Sequence, residues 1–155
     1  MRKQTINSGF EAVLRSGDAW LDLERLAQVE ITSESAERPI EFALIPDRGA
    51  GWQAAQPGKQ TIRLIFDQPL SIGRILLRFD EEDQVRTQEF VLRWLPEGQQ
   101  SRREIVRQQY TFNPPATEIE DYRVELIGVI ALELEIVPDI SGGGAYASLT
   151  QMRLA

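Results

Sequence analysis

The chain contains no cysteine and no histidine among its 155 residues. Without cysteine, neither a disulfide nor a thiolate metal site can form, and the composition is compatible with a reducing compartment. Without histidine, the chain lacks the commonest general base and the commonest transition-metal ligand. These absences exclude a Ser-His-Asp triad, a cysteine nucleophile and a histidine-containing zinc site. We therefore expect a protein that is not an enzyme.

Basic side chains and long apolar runs are also scarce. Lys3 and Lys59 are the only lysines, and the formal net charge is −7. Binding to DNA or RNA depends on clustered basic side chains that release counterions from phosphates, so we expect no nucleic-acid partner. The longest apolar run, Val129 to Val137, contains Glu133 and Glu135 and is too short to span a membrane. Because the sequence also opens without the apolar stretch of a signal peptide, we expect a cytoplasmic protein with no membrane association.

Alternation of apolar and charged residues dominates the segment from Gln60 to Trp94. Successive side chains of a strand point to opposite faces, so the alternation indicates strands with one buried side and one solvated side. The residues that we expect in the core are Ile62, Leu64, Phe66, Ile75, Leu77, Phe79, Phe90, Leu92, Trp94, Leu132, Leu134 and Ile136. A slip of one residue would bury Arg63, Arg74 and Glu133 at a large desolvation cost, so we place those three side chains on the solvated face.

Turn signals divide the rest of the chain into short strands. We predict strands at Val29–Ser33, Ile40–Leu44, Gln60–Phe66, Ile72–Phe79, Gln88–Trp94, Glu104–Phe112, Asp121–Leu126, Val129–Val137 and Ala147–Leu154. Strands at this spacing, without helices between them, indicate an all-β fold, an antiparallel β-sandwich or jelly roll of about eight strands. With 42% hydrophobic residues, a chain of this length suffices for one substantial core.

The first part of the chain does not follow this pattern. Ser8 and Glu11 have the spacing of a capping box ahead of an apolar helical face, which predicts a short helix. The apolar cluster from Trp20 to Leu26 predicts an extended or single-turn segment packed against the sandwich. We therefore divide the chain into an N-terminal extension, residues 1–28, and a sandwich domain, residues 29–155.

Short motifs from residue 29 onward indicate a more specific fold. In chain order they are Ile31-Thr32-Ser33, Gly51-Trp52, Gln60 to Leu64, Pro69 to Ile75, Phe90 to Trp94 with Glu97-Gly98, Glu104-Ile105-Val106, Ala131 to Ile136 and Leu149 to Leu154. This succession resembles the discoidin, or coagulation factor V/VIII type C, domain family. The resemblance implies a galactose-binding-like jelly roll that binds sugars, lipids or proteins through loops at one end.

The resemblance also implies where a ligand would bind. It places the acidic loop Asp80–Asp83, the Asn113–Pro115 loop and the Glu34–Arg38 turn at the same end of the sandwich. The ligand-binding residues that we predict at this end are Arg78, Asp80, Glu82, Arg86 and Asn113. Arginine donates paired hydrogen bonds to hydroxyl or carboxylate groups, which suits this role. The alternative is that both arginines pair with Asp80, Glu82 or Asp83.

Two departures from the family bear on metal binding and compartment. Extracellular members usually carry a cysteine pair that joins the termini, and this chain has none. Many members hold a structural calcium, but here Asp47 is followed by Arg48, and the closing strand has Gln151 where a carboxylate is expected. Because calcium needs several oxygen ligands, we expect no metal and no cofactor.

Two further features have a functional and a structural interpretation. Trp52 is either a core residue or a platform for a sugar, and its small neighbours favour the core. The four acids from Asp80 to Asp83 are either a catalytic carboxylate set or a solvated turn, and contiguity favours the turn. We therefore expect a non-catalytic binding module that recognises a carbohydrate or related small polar ligand. The alternative is a protein-protein interaction or structural assembly domain without a small-molecule ligand.

Overall fold

The computed structural model describes residues 20–155, so the helix expected around Ser8 and Glu11 lies outside the described residues. Two short helices and eight strands form this part of the chain. They are α1 (Leu23–Leu26), β1 (Ala27–Ile31), α2 (Glu41–Leu44), β2 (Trp52–Pro57), β3 (Gln60–Glu81), β4 (Arg86–Pro96), β5 (Arg103–Phe112), β6 (Ala116–Val137), β7 (Tyr146–Leu149) and β8 (Gln151–Leu154). All strand pairs are antiparallel. The predicted all-β sandwich of about eight strands is confirmed.

Two long strands, β3 and β6, contribute to both layers of the sandwich. The first half of β3 pairs with β1 and with the second half of β6, which continues through β4 to β5. The second half of β3 pairs with the first half of β6 and with β8. Strands β2 and β7 form a separate two-stranded sheet. Register shifts between Ile65 and Arg74 bend β3 without ending it, which is why the sequence predicted two strands where one continuous strand exists.

The core lies between the two layers. Phe79, on the second half of β3, stacks on Phe90 of β4 with ring centroids 5.3 Å apart. Of the twelve predicted core residues, all but Trp94 are buried. Trp94 is half-buried and packs against the core, with the guanidinium of Arg103 over its ring at 5.8 Å. Trp52 is fully buried, and its Nε1 donates to the carbonyl oxygen of Ser33 at 3.0 Å, so the core interpretation is confirmed.

Two predicted strands differ from the structure. The segment Ala147–Leu154 forms two strands, β7 and β8, which pair in different sheets, and the other predicted strand contains a helix. Residues Ile40–Leu44 contain the helix α2, with Ile40, Ala43 and Leu44 buried. This spacing of i, i+3 and i+4 is that of one helical face, but a run of five apolar-rich residues is too short to reveal it. Strand β2 was not predicted, because its alanine- and glutamine-rich sequence has little of the β-branched and aromatic character typical of strands.

Residues 20–26 contact the sandwich. Residues Leu23–Leu26 form a single helical turn, and the backbone N–H of Leu21 donates to the carbonyl oxygen of Leu154 at 2.7 Å. The ring of Trp20 lies 4.6 Å from the guanidinium carbon of Arg74, which also pairs with Asp121. Arg74 is therefore buried, although the alternation along β3 places its side chain on the outward face of the sheet. In the described part of the chain, no helix is long and apolar enough to cross a membrane.

Candidate functional site

A polar concavity lies where the outward face of β3, near its C-terminal end, meets β2 and β7. It consists of two adjoining parts of about 420 Å³ and about 270 Å³, which share Arg38, Asp80 and Glu82. The remaining lining residues are Ala50, Gln53, Arg78, Glu81, Asp83, Gln84, Tyr146, Ser148 and Thr150. We call this concavity the end pocket. Its size is within the range of small-molecule sites.

Asp80 is the most heavily bonded side chain of the end pocket. It accepts hydrogen bonds from Arg78 Nε at 3.1 Å, from Thr117 Oγ1 at 2.5 Å and from Thr150 Oγ1 at 2.7 Å. Burial acts to raise the pKa of Asp80, but these hydrogen bonds outweigh burial and hold the pKa below its ordinary value. Asp80 is thus an ionised anchor that fixes the half-exposed guanidinium of Arg78 at the pocket.

Arg38 is fixed from the opposite side of the pocket. Its Nε donates to the carbonyl oxygen of Gly51 at 3.3 Å, and its Nη2 donates to that of Ala50 at 2.9 Å. Its own backbone N–H closes a tight turn with the carbonyl oxygen of Ser35 at 3.2 Å. Within residues 20–155 it forms no salt bridge. Arg38 therefore presents a cation that is held by carbonyl groups and, among the described residues, has no carboxylate within salt-bridge distance.

The acidic loop after β3 owes its shape to Glu81. Glu81 Oε2 accepts hydrogen bonds from the backbone N–H of Asp83 at 2.9 Å and from that of Gln84 at 3.1 Å. Burial acts to raise the pKa of Glu81, and hydrogen bonds from Arg86 and from these two N–H groups lower it below its ordinary value. The loop is thus organised by the Glu81 carboxylate, both of whose oxygens accept hydrogen bonds from within the protein.

The structure brings together three of the five predicted ligand-binding residues. Arg78, Asp80 and Glu82 line the end pocket. Asn113 is exposed on the loop between β5 and β6, outside the lining of the end pocket. Arg86 is only 3% exposed and lies in the interior. The alternative interpretation holds for Arg78, which pairs with Asp80, whereas Arg86 pairs with Glu81, an acid that this interpretation did not include.

Sequence reasoning missed Arg38, Gln53 and Tyr146 as pocket residues. The pairing of β2 with β7, in which Gln53 lies opposite Ser148, brings these positions to the end of β3. Because β2 was not predicted as a strand, nothing in the sequence placed it beside the acidic loop. Tyr146 did carry a signal, since it is an aromatic residue next to a glycine run, and it is 45% exposed.

A second concavity is apolar and lies among α1, β1 and α2. It has a volume of about 380 Å³. Its lining residues are Leu23, Glu24, Ala27, Val29, Ile31, Glu34, Ile40, Glu41, Leu44 and Ile45. We call it the side groove. Three of these residues are acidic and none is basic, so the groove combines an apolar floor with a negative rim.

The described residues contain no group of three or more carboxylates that could hold a metal ion. Asp47, at the position where the resembling family often has a calcium ligand, adopts a positive φ of 61°. Aspartate tolerates this left-handed conformation in tight turns. The structure around Asp47 thus has the character of an ordinary turn.

No family model matches the chain, and no curated protein does. Solved structures do match. The family 32 carbohydrate-binding module of Clostridium perfringens NanJ, in complex with galactose, has a TM-score of 0.63 at 10% identity, covering 87% of this chain and 96% of that one. Another family 32 module from C. perfringens, in complex with GalNAc-β-1,3-galactose, has a TM-score of 0.63 at 14% identity, covering 87% and 98%.

An F5/8 type C domain from Bacteroides fragilis is also similar, with a TM-score of 0.57 at 11% identity, covering 87% of this chain and 93% of that domain. These structures share the galactose-binding-like fold, so the fold implied by the resemblance to discoidin domains is confirmed. At such identities the likeness concerns the backbone fold and carries no site residue from one chain to another.

Proposed function

We propose that the chain is a non-catalytic binding module that recognises a carbohydrate or related small polar ligand in the end pocket. The observation that carries the proposal is the convergence of three kinds of group on one concavity. Arg38 and Arg78 supply hydrogen-bond donors, Glu82 supplies an acceptor, and Tyr146 supplies an exposed aromatic ring. A sugar offers hydroxyl groups that both donate and accept, together with a C–H face that packs on aromatic rings.

The charge of the end pocket favours a neutral ligand. Arg38 and Arg78 are its two basic residues, and its four carboxylates are those of residues 80–83. An acidic sugar would bring a further negative charge close to this excess of carboxylates, which like-charge repulsion disfavours. A neutral polyhydroxyl compound meets no such repulsion. The similar structures with bound galactose and GalNAc-β-1,3-galactose support a ligand of this class.

The arrangement of the carboxylates supports a non-catalytic role. Glycoside hydrolysis needs two carboxyl groups that face each other across the bond to be cleaved. Here Asp80 is occupied by hydrogen bonds from Arg78 and two threonines, and Glu81 is occupied by Arg86 and two backbone N–H groups. The two remaining acids, Glu82 and Asp83, are neighbours on one exposed loop.

Titration by NMR with galactose, N-acetylgalactosamine and galacturonic acid tests the proposal. We expect saturable shifts at Arg38, Gln84 and Tyr146 with a neutral sugar, and weaker ones with the acid. Arg78→Ala should weaken binding about tenfold or more, because it removes a charged hydrogen-bond donor. The matched control is Arg123→Ala, an exposed arginine outside the pocket. Absence of saturable shifts with these sugars and with a glycan array, or shifts confined to the side groove, would contradict the proposal.

The side groove favours a second candidate function, the binding of a partner protein. Its apolar floor and acidic rim complement a partner segment that carries apolar and basic side chains. A fluorescent peptide of leucine and lysine, compared with one of leucine and glutamate, tests this function. We expect saturable binding of the basic peptide alone, weakened by the double substitution Glu34→Gln and Glu41→Gln. Equal binding of both peptides, or binding of neither, would contradict it.

A further inference from the structure

Arg86 lies next to Glu81 of the end pocket and contacts residues at the C-terminal ends of three strands. Its Nε bonds to Glu81 Oε1 at 2.5 Å, at the start of the loop after β3. Its Nη1 donates to the carbonyl oxygen of Pro138 at 2.8 Å, at the start of the connection after β6. Its guanidinium carbon lies 4.6 Å from the ring centroid of Phe112, which ends β5. One buried cation therefore joins the C-terminal ends of β3, β5 and β6.

One of these strand ends leads into a wall of the end pocket. The carboxylate that Arg86 holds through Oε1 is the one whose Oε2 accepts the N–H groups of Asp83 and Gln84, and both of these residues line the pocket. Displacement of the guanidinium would therefore move this wall, although Arg86 itself is not part of the lining.

A second carboxylate lies close to Arg86. Glu118, on β6, is 1% exposed, and its Oε1 accepts a hydrogen bond from Gln88 Nε2 at 3.3 Å. Gln88 Oε1 in turn accepts from Arg86 Nη1 at 3.3 Å, so Gln88 bridges the two side chains. Within residues 20–155, Glu118 Oε2 is buried without a hydrogen-bond partner. A charged carboxylate with an unpartnered oxygen would be costly at this depth, so the geometry favours a neutral Glu118.

The surroundings of Glu118 favour its uncharged form. Burial and the neighbouring Glu120 together raise the pKa of Glu118 to about 9, although the hydrogen bond from Gln88 and the charge of Arg86 oppose the rise. On the same strand, Tyr122 has a raised pKa through burial and the two glutamates, so it remains neutral. Glu118 is thus an uncharged acid near neutral pH. Glu81 is therefore the carboxylate that pairs with Arg86.

We propose that Arg86 is a positioning residue of the end pocket: it holds the loop that carries Asp83 and Gln84, and it does so only while Glu118 is uncharged. When Glu118 ionises, two carboxylates compete for one guanidinium in a medium of low dielectric constant. Arg86 then moves from Glu81 towards Glu118, and the loop after β3 loses its anchor. The part of this proposal that concerns ligand affinity rests on the proposed function of the end pocket.

The test follows carbonyl ¹³C shifts, which do not need an exchangeable amide proton, from about pH 7 to about pH 10. In the unaltered protein, we expect Asp83 and Gln84 to shift with a midpoint near the pKa of Glu118, about 9. Glu118→Gln should keep the neutral-pH shifts and abolish the transition. Glu81→Gln should displace the shifts of both residues at every pH, because it removes the charge that Arg86 holds. The matched control is Glu125→Gln, an exposed acid on β6.

The outcomes separate this proposal from that of the binding function. Shifts of Asp83 and Gln84 that do not change with pH, or that change equally in Glu118→Gln, would overturn the positioning role. Galactose serves as the binding probe, and we expect its affinity to fall fivefold or more, roughly, across the same transition in the unaltered protein but not in Glu118→Gln. If galactose does not bind while the two residues titrate as expected, the proposed ligand is wrong and the positioning role stands.

Discussion

Glu133 and Glu118 lie on the same strand, β6, and are 7% and 1% exposed. Their surroundings nevertheless shift the pKa values of the two carboxyl groups in opposite directions. Burial acts to raise the pKa of both carboxyl groups. For Glu133, the arginines 63, 93 and 102 outweigh burial and hold the pKa below its ordinary value. For Glu118, a second carboxylate adds to burial, and the pKa is about 9. The comparison teaches that neighbouring charges decide which form of a buried acid the fold stabilises.

Strand register accounts for the difference. Glu133 is on the outward face of the five-stranded layer, directly opposite Arg63 on β3 and Arg93 on β4. Its two carboxylate oxygens accept from Arg63 Nη2 at 2.9 Å and from Arg93 Nη1 at 3.2 Å. The side chain of Glu118 lies on the inward face of β6, where the cross-strand neighbours are mostly apolar. The pairing of Glu133 with these arginines therefore favours one register, since a slip of one residue on either neighbouring strand would place an apolar side chain opposite Glu133.

Among substitutions on β6, we expect the largest loss of stability at a position other than these two glutamates. Leu134 is fully buried between the layers, next to Glu133 in sequence. Leu134→Ala should destabilise the protein by about 2–5 kcal/mol, because it removes buried methyl groups and leaves a cavity. Chemical denaturation measures the change. The exposed substitution Glu125→Ala is its control, and an equal loss in both variants would show that the phase of β6 is misassigned.

Glu133→Gln should have the next largest effect. The sequence placed Glu133 on a solvated face, from which little effect is expected, but the structure covers it with three arginines. Removing the charge leaves these cations without their shared partner, and we expect a loss of about 1–3 kcal/mol, since the arginines remain partly exposed and screened. Denaturation at low and high salt measures it, and the loss should shrink at high salt. A salt-independent loss would indicate a packing effect instead.

The backbone of the sandwich follows from local pattern. Alternation of apolar and charged residues is a property of neighbouring positions, so the burial of residues such as Leu64 and Leu134 could be predicted from the sequence. Continuity of β3 through its bend could not, because bulged positions interrupt the alternation without ending the strand. The helix α2 was missed for a related reason, since one turn contains too few residues to distinguish a helical period from an extended one.

The candidate site was less predictable, since it is assembled from distant parts of the chain. Arg78 and Asp80 could be identified because they flank an acidic loop. The turn that ends at Arg38 was expected at this end, but Arg38 was not identified as a site residue, and Tyr146 joins the site only through the pairing of β2 with β7, which no local pattern indicates. The interior position of Arg86 also depends on tertiary structure, because arginine at a strand end is ordinarily solvated and the partners that bury it lie on three other elements.

The pH dependence of stability should distinguish the two glutamates. The folded pKa of Glu118, about 9, lies above its ordinary value of 4.5, so the folded state binds more protons between these values. The stability that Glu118 contributes is therefore complete below pH 4.5 and is lost as pH rises towards 9 and beyond. Glu133 has a lowered pKa, so its contribution is present above the ordinary value and is lost as pH falls through the folded pKa.

Glu118→Gln sharpens this contrast. The amide keeps the size of the side chain and cannot ionise, so we expect it to flatten the alkaline decline and to raise stability by about 1–2 kcal/mol near pH 9. Denaturation curves from neutral to alkaline pH measure the effect, and the acid limb, to which Glu133 contributes, should be unchanged. An alkaline decline as steep as that of the unaltered protein would show that another group titrates there.

The smallest effect that we expect comes from Glu30, which shares Arg63 with Glu133. Glu30 Oε1 accepts from Arg63 Nη1 at 2.8 Å, a distance as short as those to Glu133, but the Glu30 side chain is 55% exposed. Water already solvates an exposed carboxylate, so Glu30→Gln should cost no more than about 0.5 kcal/mol. In a double-mutant cycle with Glu133→Gln, the two losses should be nearly additive if each acid holds Arg63 independently. A loss at Glu30 as large as that at Glu133 would show that bond geometry, rather than burial, sets the strength of this ion pair.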